Sequence, residues 1–397
     1  MWSKVALIIA FAAALAVLVI VHAPGLNGPS YWLWPWREPV LPAGRWYLAM
    51  AVAAMPGLLA LWFSRNVVLI ILMLMLSTFA MRVASVTMVR GWFDTSLVAD
   101  ILKSPEATSY YADAAALSTY DHWLRDYPDI LYNTSLHTQS KPPGPVLYWM
   151  TIVRLFGYND RAAVIGAMIL GALATLSIPM TFLLVKQLTQ NRDASLLAAA
   201  WVSLAPGFVL FFPMFDPIYL VFSCTLVMLW HGAVSRDSFF WAGAFGLVLG
   251  ISTFATYLVL ILGPFPFLLG LLCAGRKPAE AMKISIKLGL LALAVFVAFY
   301  LLLWMTTGFN VVATFSEAWK NQQLFLQRHE SARRYPMTVP FDLLDFLLGA
   351  GWISALVVIF AFTPSPCTQG EGRGEGSALT RGRSDEIPRP SPPPEYQ

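Results

Sequence analysis

Residues 137–157 read HTQSKPPGPVLYWMTIVRLFG. A lysine, two consecutive prolines and a third proline at 145 open an apolar run that closes on a glycine. A helix over 142–157 reaches only about 20–24 Å at 1.5 Å per residue, short of the roughly 30 Å of hydrocarbon in a bilayer. Whether this segment crosses a membrane decides on which side every later loop lies.

The chain around it is built for lipid. Of its 397 residues 58% are hydrophobic and 12% charged, against about a quarter charged in soluble domains. Apolar runs occupy 4–23, 46–63, 66–89, 161–185, 193–212, 217–234, 238–255, 257–273, 288–307 and 342–363, each near the length a crossing helix needs. The first exceeds the usual core of a signal peptide and reads as an uncleaved anchor. Cys224, Cys273 and Cys367 have no metal-ligand spacing, and no nucleic-acid signature is present.

Charge placement supplies an independent vote on 142–157. If this segment does not cross and Lys4 is cytoplasmic, then Arg65, Lys186, Arg192, Arg236, Arg276, Lys277, Lys283 and Lys287 all fall inside. If it does cross, the later basic loops move outside, against the positive-inside rule. The expected fold is therefore an all-α polytopic membrane protein of about ten transmembrane helices with 142–157 half embedded. Two extracytoplasmic loop regions carry short amphipathic helices. The expected divisions are N-terminal helices at 1–89, a first extracytoplasmic loop at 90–160, a transmembrane core at 161–307, a second loop at 308–341, a last span at 342–363 and a disordered cytoplasmic tail at 364–397. The tail is rich in Pro, Gly, Ser and charge. Its start, PSPCTQGEGRGEG, is similar to translated bacterial intergenic repeats, so an interrupted reading frame is expected.

The polar residues gather in the two long loops. Residues 90–141 balance at −3, whereas 308–341 balance at +2 through Lys320, Arg328, Arg333 and Arg334. Basic residues outside run against the orientation rule, and an anionic ligand is one reason to keep them. In SPEATSYYADAA (104–115), Ser104 suits an N-cap and Pro105 the first helical position. Glu106 and Asp113 then share a face with Ser109 and Tyr110, either as a polar surface or as carboxylates able to take a proton from an acceptor hydroxyl. Asp94, in GWFDTS, is a solvated boundary residue, a second base or a metal ligand. Arg82 lies inside the third apolar run, where a charge must face a polar cavity or snorkel. Lys141 beside a helix N-terminus can seat a phosphate or anchor the helix at the headgroups. His137 stands next to it in the loop, and Asp216 lies between Phe215 and Pro217, where turn chemistry also accounts for it. Arg333, Arg334 and Tyr335 in HESARRYP form a basic cluster of the kind that clamps phosphates bidentately or binds headgroups.

In this order and at about this spacing, SPEATSYY, SKPPGPVLYWMTIVRLFG, the later FDP (215–217) and GFNVVATFSEAW…RRYP resemble the bacterial membrane glycosyltransferases of GT-C architecture. The likeness is to the family-39-like group that includes aminoarabinose and mannosyl transferases, and it covers roughly 90–350. Glu106 stands where that family usually has Asp, and Ser109 where its aminoarabinose branch has Arg. The family also continues beyond the last span seen here.

The resemblance implies a multi-pass protein of the bacterial cytoplasmic membrane with an extracytoplasmic active site. Its donor would be a polyprenyl-phosphate sugar and its acceptor a glycan or lipid hydroxyl. The expected catalytic set is Glu106, Asp94 and Asp113, with Lys141, Arg333, Arg334 and Tyr335 on the donor phosphate and Arg82, His137 and Asp216 lining the site. No cofactor is firmly implied, and a divalent cation is compatible. The competing readings are a carrier or flippase for lipid-linked or small anionic solutes, and an inactive truncated product. The first lacks the internal symmetry with paired broken helices common in transporters.

Overall fold

The computed structural model describes residues 44–105, 107–273, 277–328 and 339–351, together with three isolated positions before residue 44. Apart from those three positions the expected first span at 4–23 lies outside the described residues, as do the end of the last span and the tail. The described chain is helical and contains no strand. Its helices are α1 Gly44–Phe63, α2 Val67–Arg90, α3 Ser96–Lys103, α4 Tyr110–Leu117, α5 Tyr127–Ile130, α6 Gly144–Phe156, α7 Asp160–Thr175 and α8 Ser177–Thr189. They continue as α9 Arg192–Leu204, α10 Pro206–Leu210, α11 Tyr219–Arg236, α12 Phe239–Ala255, α13 Pro264–Cys273, α14 Pro278–Thr307, α15 Val311–Arg328 and α16 Val339–Ala350.

Among the described residues, five helical stretches are long and apolar enough to cross a membrane: Gly44–Phe63, Val67–Arg90, Asp160–Thr189, Asp216–Arg236 and Pro278–Thr307. This is an all-α polytopic membrane protein, and among the described residues several of the expected apolar runs are not continuous spans. Prolines account for part of the difference. The apolar run 193–212 breaks at Ala205, whose ψ of 125° is extended, because Pro206 follows it. The run 257–273 starts as a 3₁₀ helix, Tyr257–Leu262, before Pro264 opens α13. Each proline lacks the N–H that an unbroken helix would use.

Helix α6 is short, as the sequence predicts. Its 13 residues span about 20 Å, and it ends on Gly157 at φ 78°, a left-handed value that glycine takes without Cβ strain. Val146, Trp149 and Met150 are buried against α4 and α7. Two glycines permit this packing. A Cβ on Gly144 would lie 2.5 Å from the Phe254 carbonyl oxygen, and one on Gly166 would lie 2.2 Å from the Trp149 ring. The glycine of Lys-Pro-Pro-Gly thus lets the start of α6 rest directly on the C-terminal end of α12.

Around α6 the first long loop folds into the main core. Tyr111, Tyr127, Leu131 and Trp149 are buried together with Phe309, just after α14, and Ala318 on α15. Both long loops therefore share one packed cap at the same end of the helical bundle.

One local expectation fails. Ser104 does not begin a helix; it closes α3, donating its N–H to Asp100 O at 3.0 Å. Pro105 holds Ser104 extended at ψ 123° and so stops the preceding helix instead of opening the next. Helix α4 starts only at Tyr110, after Ser109 at φ 55°. Residues 104–105 and 107–109 are consequently not helical, so the helix expected to start at Ser104 begins instead at Tyr110.

Candidate functional site

The segment leading to Lys141 is fastened from three sides. Asp113 on α4 is only 8% exposed. Its carboxylate accepts the Ser135 N–H at 3.2 Å and the Ser135 hydroxyl at 2.9 Å, as well as the Thr138 hydroxyl. The Gln139 amide donates to Thr134 O at 2.7 Å and Tyr132 O at 3.0 Å. From beneath, the Tyr127 hydroxyl donates to Lys141 O at 3.3 Å. These bonds hold the backbone of 132–141 and leave the Lys141 side chain half-buried at its edge. Charge-assisted bonds to a buried carboxylate are the strong ones in such a set.

Helix α15 closes the other side. Asn321 Nδ2 donates to Gln139 O at 3.1 Å across 182 residues of sequence. Between the two segments lies a cavity of about 200 Å³ bounded by His137, Gln139, Lys141, Asn321, Gln322 and Phe325. Two larger cavities, of 350 and 400 Å³, have almost wholly apolar linings. Convergent polar groups mark a chemical site better than size does, which favours the smaller one.

The remaining sequence candidates divide clearly. Asp94 Oδ1 accepts the Ser96 N–H at 2.8 Å at the start of α3. That bond, followed by the Ser96 side chain, holds its carboxyl below the usual range. Arg82 is 0% exposed; it neither snorkels nor reaches the 200 Å³ cavity. Its Nη1 donates to Phe208 O, and its guanidinium lies 5.1 Å from the Phe208 ring and 5.8 Å from that of Phe212. Asp216 is exposed beside the ring of Phe215, which meets Tyr110 edge-on at 6.4 Å. Burial first, then Asp216 and Asp113, push the Tyr110 hydroxyl up, so Tyr110 links the first loop to the Phe-Asp-Pro turn as a neutral phenol. His137 borders the cavity beside Lys141. Glu106, Arg333, Arg334 and Tyr335 lie outside the described residues. Among the described residues no group of three His, Cys, Asp or Glu side chains could hold a metal.

The sequence reading missed Gln139, Asn321, Gln322 and Phe325. A polar patch, KNQQ (320–323), in an otherwise apolar protein was the available signal.

The architecture is thus that of a helical membrane protein whose two long loops meet over a polar cavity. Residues 140–304 match the family model described as dolichyl-phosphate-mannose-protein mannosyltransferase. The match begins one residue before Lys141 and runs through most of α14. It supports a GT-C-like membrane glycosyltransferase that uses a lipid-linked sugar donor. No curated protein matches the chain significantly.

Proposed function

We propose that the protein transfers a sugar from a polyprenyl-phosphate donor to an acceptor hydroxyl of a glycan or lipid at the outer face of the bacterial cytoplasmic membrane. The observation that carries this reading is the placement of Lys141. It stands half-buried where the two long loops meet over a polar cavity. An ammonium there can hold the donor phosphate and stabilise the charge that grows on it as the sugar leaves. The isoprenoid chain would lie along α14, where the 350 and 400 Å³ apolar cavities share Phe296.

Orientation follows from charge. Arg236 ends α11 and Lys287 pairs with Asp237 at 2.5 Å, at the far end of α11 from Asp216. Keeping these basic residues in the cytoplasm puts the cavity outside.

In the proposed reaction the acceptor oxygen attacks the anomeric carbon opposite the phosphate. The carbon–oxygen bond to the phosphate breaks, and polyprenyl phosphate leaves with the bonding electrons. Glu106 takes the hydroxyl proton, and the anomeric configuration inverts. Arg333, Arg334 and Tyr335 would add donors to the leaving phosphate, with Asp94 the weaker candidate for the base because it caps α3. Asp113 supports the site by fixing 135–138.

The test is transfer of labelled sugar from polyprenyl-phosphate mannose in membranes carrying the full chain. Glu106→Gln and Lys141→Ala should each lower transfer by about 100-fold or more, the scale of a general base or a charge-stabilising donor. Transfer retained in both variants would sink the residue assignment.

A further inference from the structure

Helix α15 has a second face, turned away from the cavity wall. Its residues fall into three sectors when each is placed about 100° from the last. Thr314, Ala318 and Asn321 are buried, on the side packed against the first long loop. Val312, Phe315, Trp319 and Leu326 form a stripe roughly 120° around the helix from them, and all four are exposed, Val312 by 75% and Trp319 by 59%. Glu317, Lys320 and Arg328 lie roughly 150° from the stripe, on its far side. Lys320 pairs there with Glu317 at 3.2 Å. Ser316 and Gln323 border the stripe on the side toward these charges.

An apolar stripe with charges opposite suits the boundary of a bilayer, where one side of a helix meets acyl chains and the other meets water. We infer that α15 lies in the membrane surface, with Val312, Phe315, Trp319 and Leu326 sunk into the leaflet nearest the polar cavity. The partner of this face is lipid. The inference does not depend on Lys141 as the phosphate contact.

The level and the course of the chain both favour lipid. Lys287 pairs with Asp237 near the opposite boundary. From there residues 288–307 of α14 rise about 30 Å, the thickness of the hydrocarbon, so α15 begins where α14 leaves it. Only Gly308, Phe309 and Asn310 separate the two helices. Gly308 turns the chain at φ 75°. Buried Phe309 anchors the bend between the rings of Phe254 and Tyr300, at 5.6 and 6.4 Å. The Asn310 side chain then caps α15 by accepting the Ala313 N–H at 3.0 Å. Trp304 near the end of α14 and Val312 at the start of α15 line the same apolar cavity of about 400 Å³. The apolar surface of the crossing helix thus continues into the stripe. Trp319 lies two turns further on, and an indole is a side chain that bilayer interfaces favour. The same helix holds Gln139 O through Asn321, so the leaflet braces one wall of the polar cavity.

The experiment is depth-dependent quenching in nanodiscs of phosphatidylcholine and phosphatidylglycerol. The full chain, with Cys273 and Cys367 replaced by serine and buried Cys224 kept, receives one added cysteine at a time: Val312→Cys, Trp319→Cys, Leu326→Cys or Lys320→Cys. Each carries a bimane fluorophore. Nitroxide on the lipid acyl chains should remove most of the emission at 312, 319 and 326 and little at 320, whereas iodide in the water should do the reverse. Trp319→Cys removes part of the stripe, so the readings at 312 and 326 decide by themselves. The inference is overturned if iodide quenches 312 and 326 as strongly as 320, which puts the stripe in water. It is equally overturned if neither quencher reaches them, which puts the stripe against protein, a second copy of the chain included.

Discussion

Arg82 and Lys141 carry the same formal charge into two different environments. Arg82 is sealed between α2 and α10, with a backbone carbonyl and two phenyl rings around its guanidinium and no exposure at all. Lys141 stands at the edge of a polar cavity, with its backbone pinned and its side chain half-buried. A cation held by one carbonyl and two aromatic faces, with Nε and Nη2 buried and unpartnered, belongs to the packing between helices and not to a site that an anion enters. A cation at a cavity rim, on a fixed backbone, is available to an incoming anion. The sequence shows both as charges near apolar runs; only their surroundings separate them.

The separation should appear as a double dissociation. Arg82→Ala removes the donor to Phe208 O and leaves a void between α2 and α10, where Ala205–Pro206 has already broken the helix. Cavity formation and a lost charged hydrogen bond together are worth about 3–5 kcal/mol. Thermal unfolding in detergent should therefore shift down by several degrees, while surviving folded protein keeps its affinity for bare polyprenyl phosphate. Lys141→Ala should do the reverse, with stability within about 0.5 kcal/mol of wild type and phosphate-lipid affinity lost. Equal effects of both substitutions on unfolding would erase the distinction.

Next in expected size is Asp113, which fixes the segment from which Lys141 projects. Asp113→Asn keeps the shape but removes the charge that the Ser135 and Thr138 hydroxyls and the Ser135 N–H address. Hydrogen bonds to a charged group contribute about 1.5–3 kcal/mol, so unfolding should come earlier by roughly that much. Phosphate affinity should fall too, because 135–141 would no longer be pinned. A variant with wild-type stability but lost transfer would instead give Asp113 a direct part in the chemistry.

How much of this was legible in the sequence depends on the range of the interaction. The length of α6 and its glycine end could be read from HTQSKPPGPVLYWMTIVRLFG, because a short apolar run between prolines and a glycine is a local property. Prolines are ambiguous signals: Pro105 suits the first position of a helix, yet Ser104 closes the helix before it. Pro206 divides an apolar run that hydropathy alone reads as continuous. In the site, Lys141 was visible because it adjoins a local motif. Asn321 was not, since its partner Gln139 lies 182 residues away and nothing in KNQQ names that contact. Arg82 could be narrowed to a cavity or the interface, and burial against Phe208 is neither, because a helix break some 120 residues later supplied its partner.

The smallest effect expected concerns Asp94, the candidate base that caps α3. Its carboxyl is held below the ordinary range mainly by the Ser96 N–H, so the cap favours the ionised form in the folded state. For a depressed carboxyl the stabilisation is fully present above the unfolded pKa of about 3.9 and is lost as pH falls through the lower folded value. Between pH 5 and 8 the contribution of Asp94 to stability should therefore be flat. Asp94→Asn, which keeps a capping oxygen, should shift thermal unfolding little in that window and should lessen the loss of stability below about pH 4. Transfer measured over the same window separates the two roles. A cap leaves the pH–rate profile of the variant parallel to that of the wild type, whereas a base would lower transfer by about 100-fold at a pH where unfolding has not changed. Such a loss would move the proton acceptor from Glu106 to Asp94.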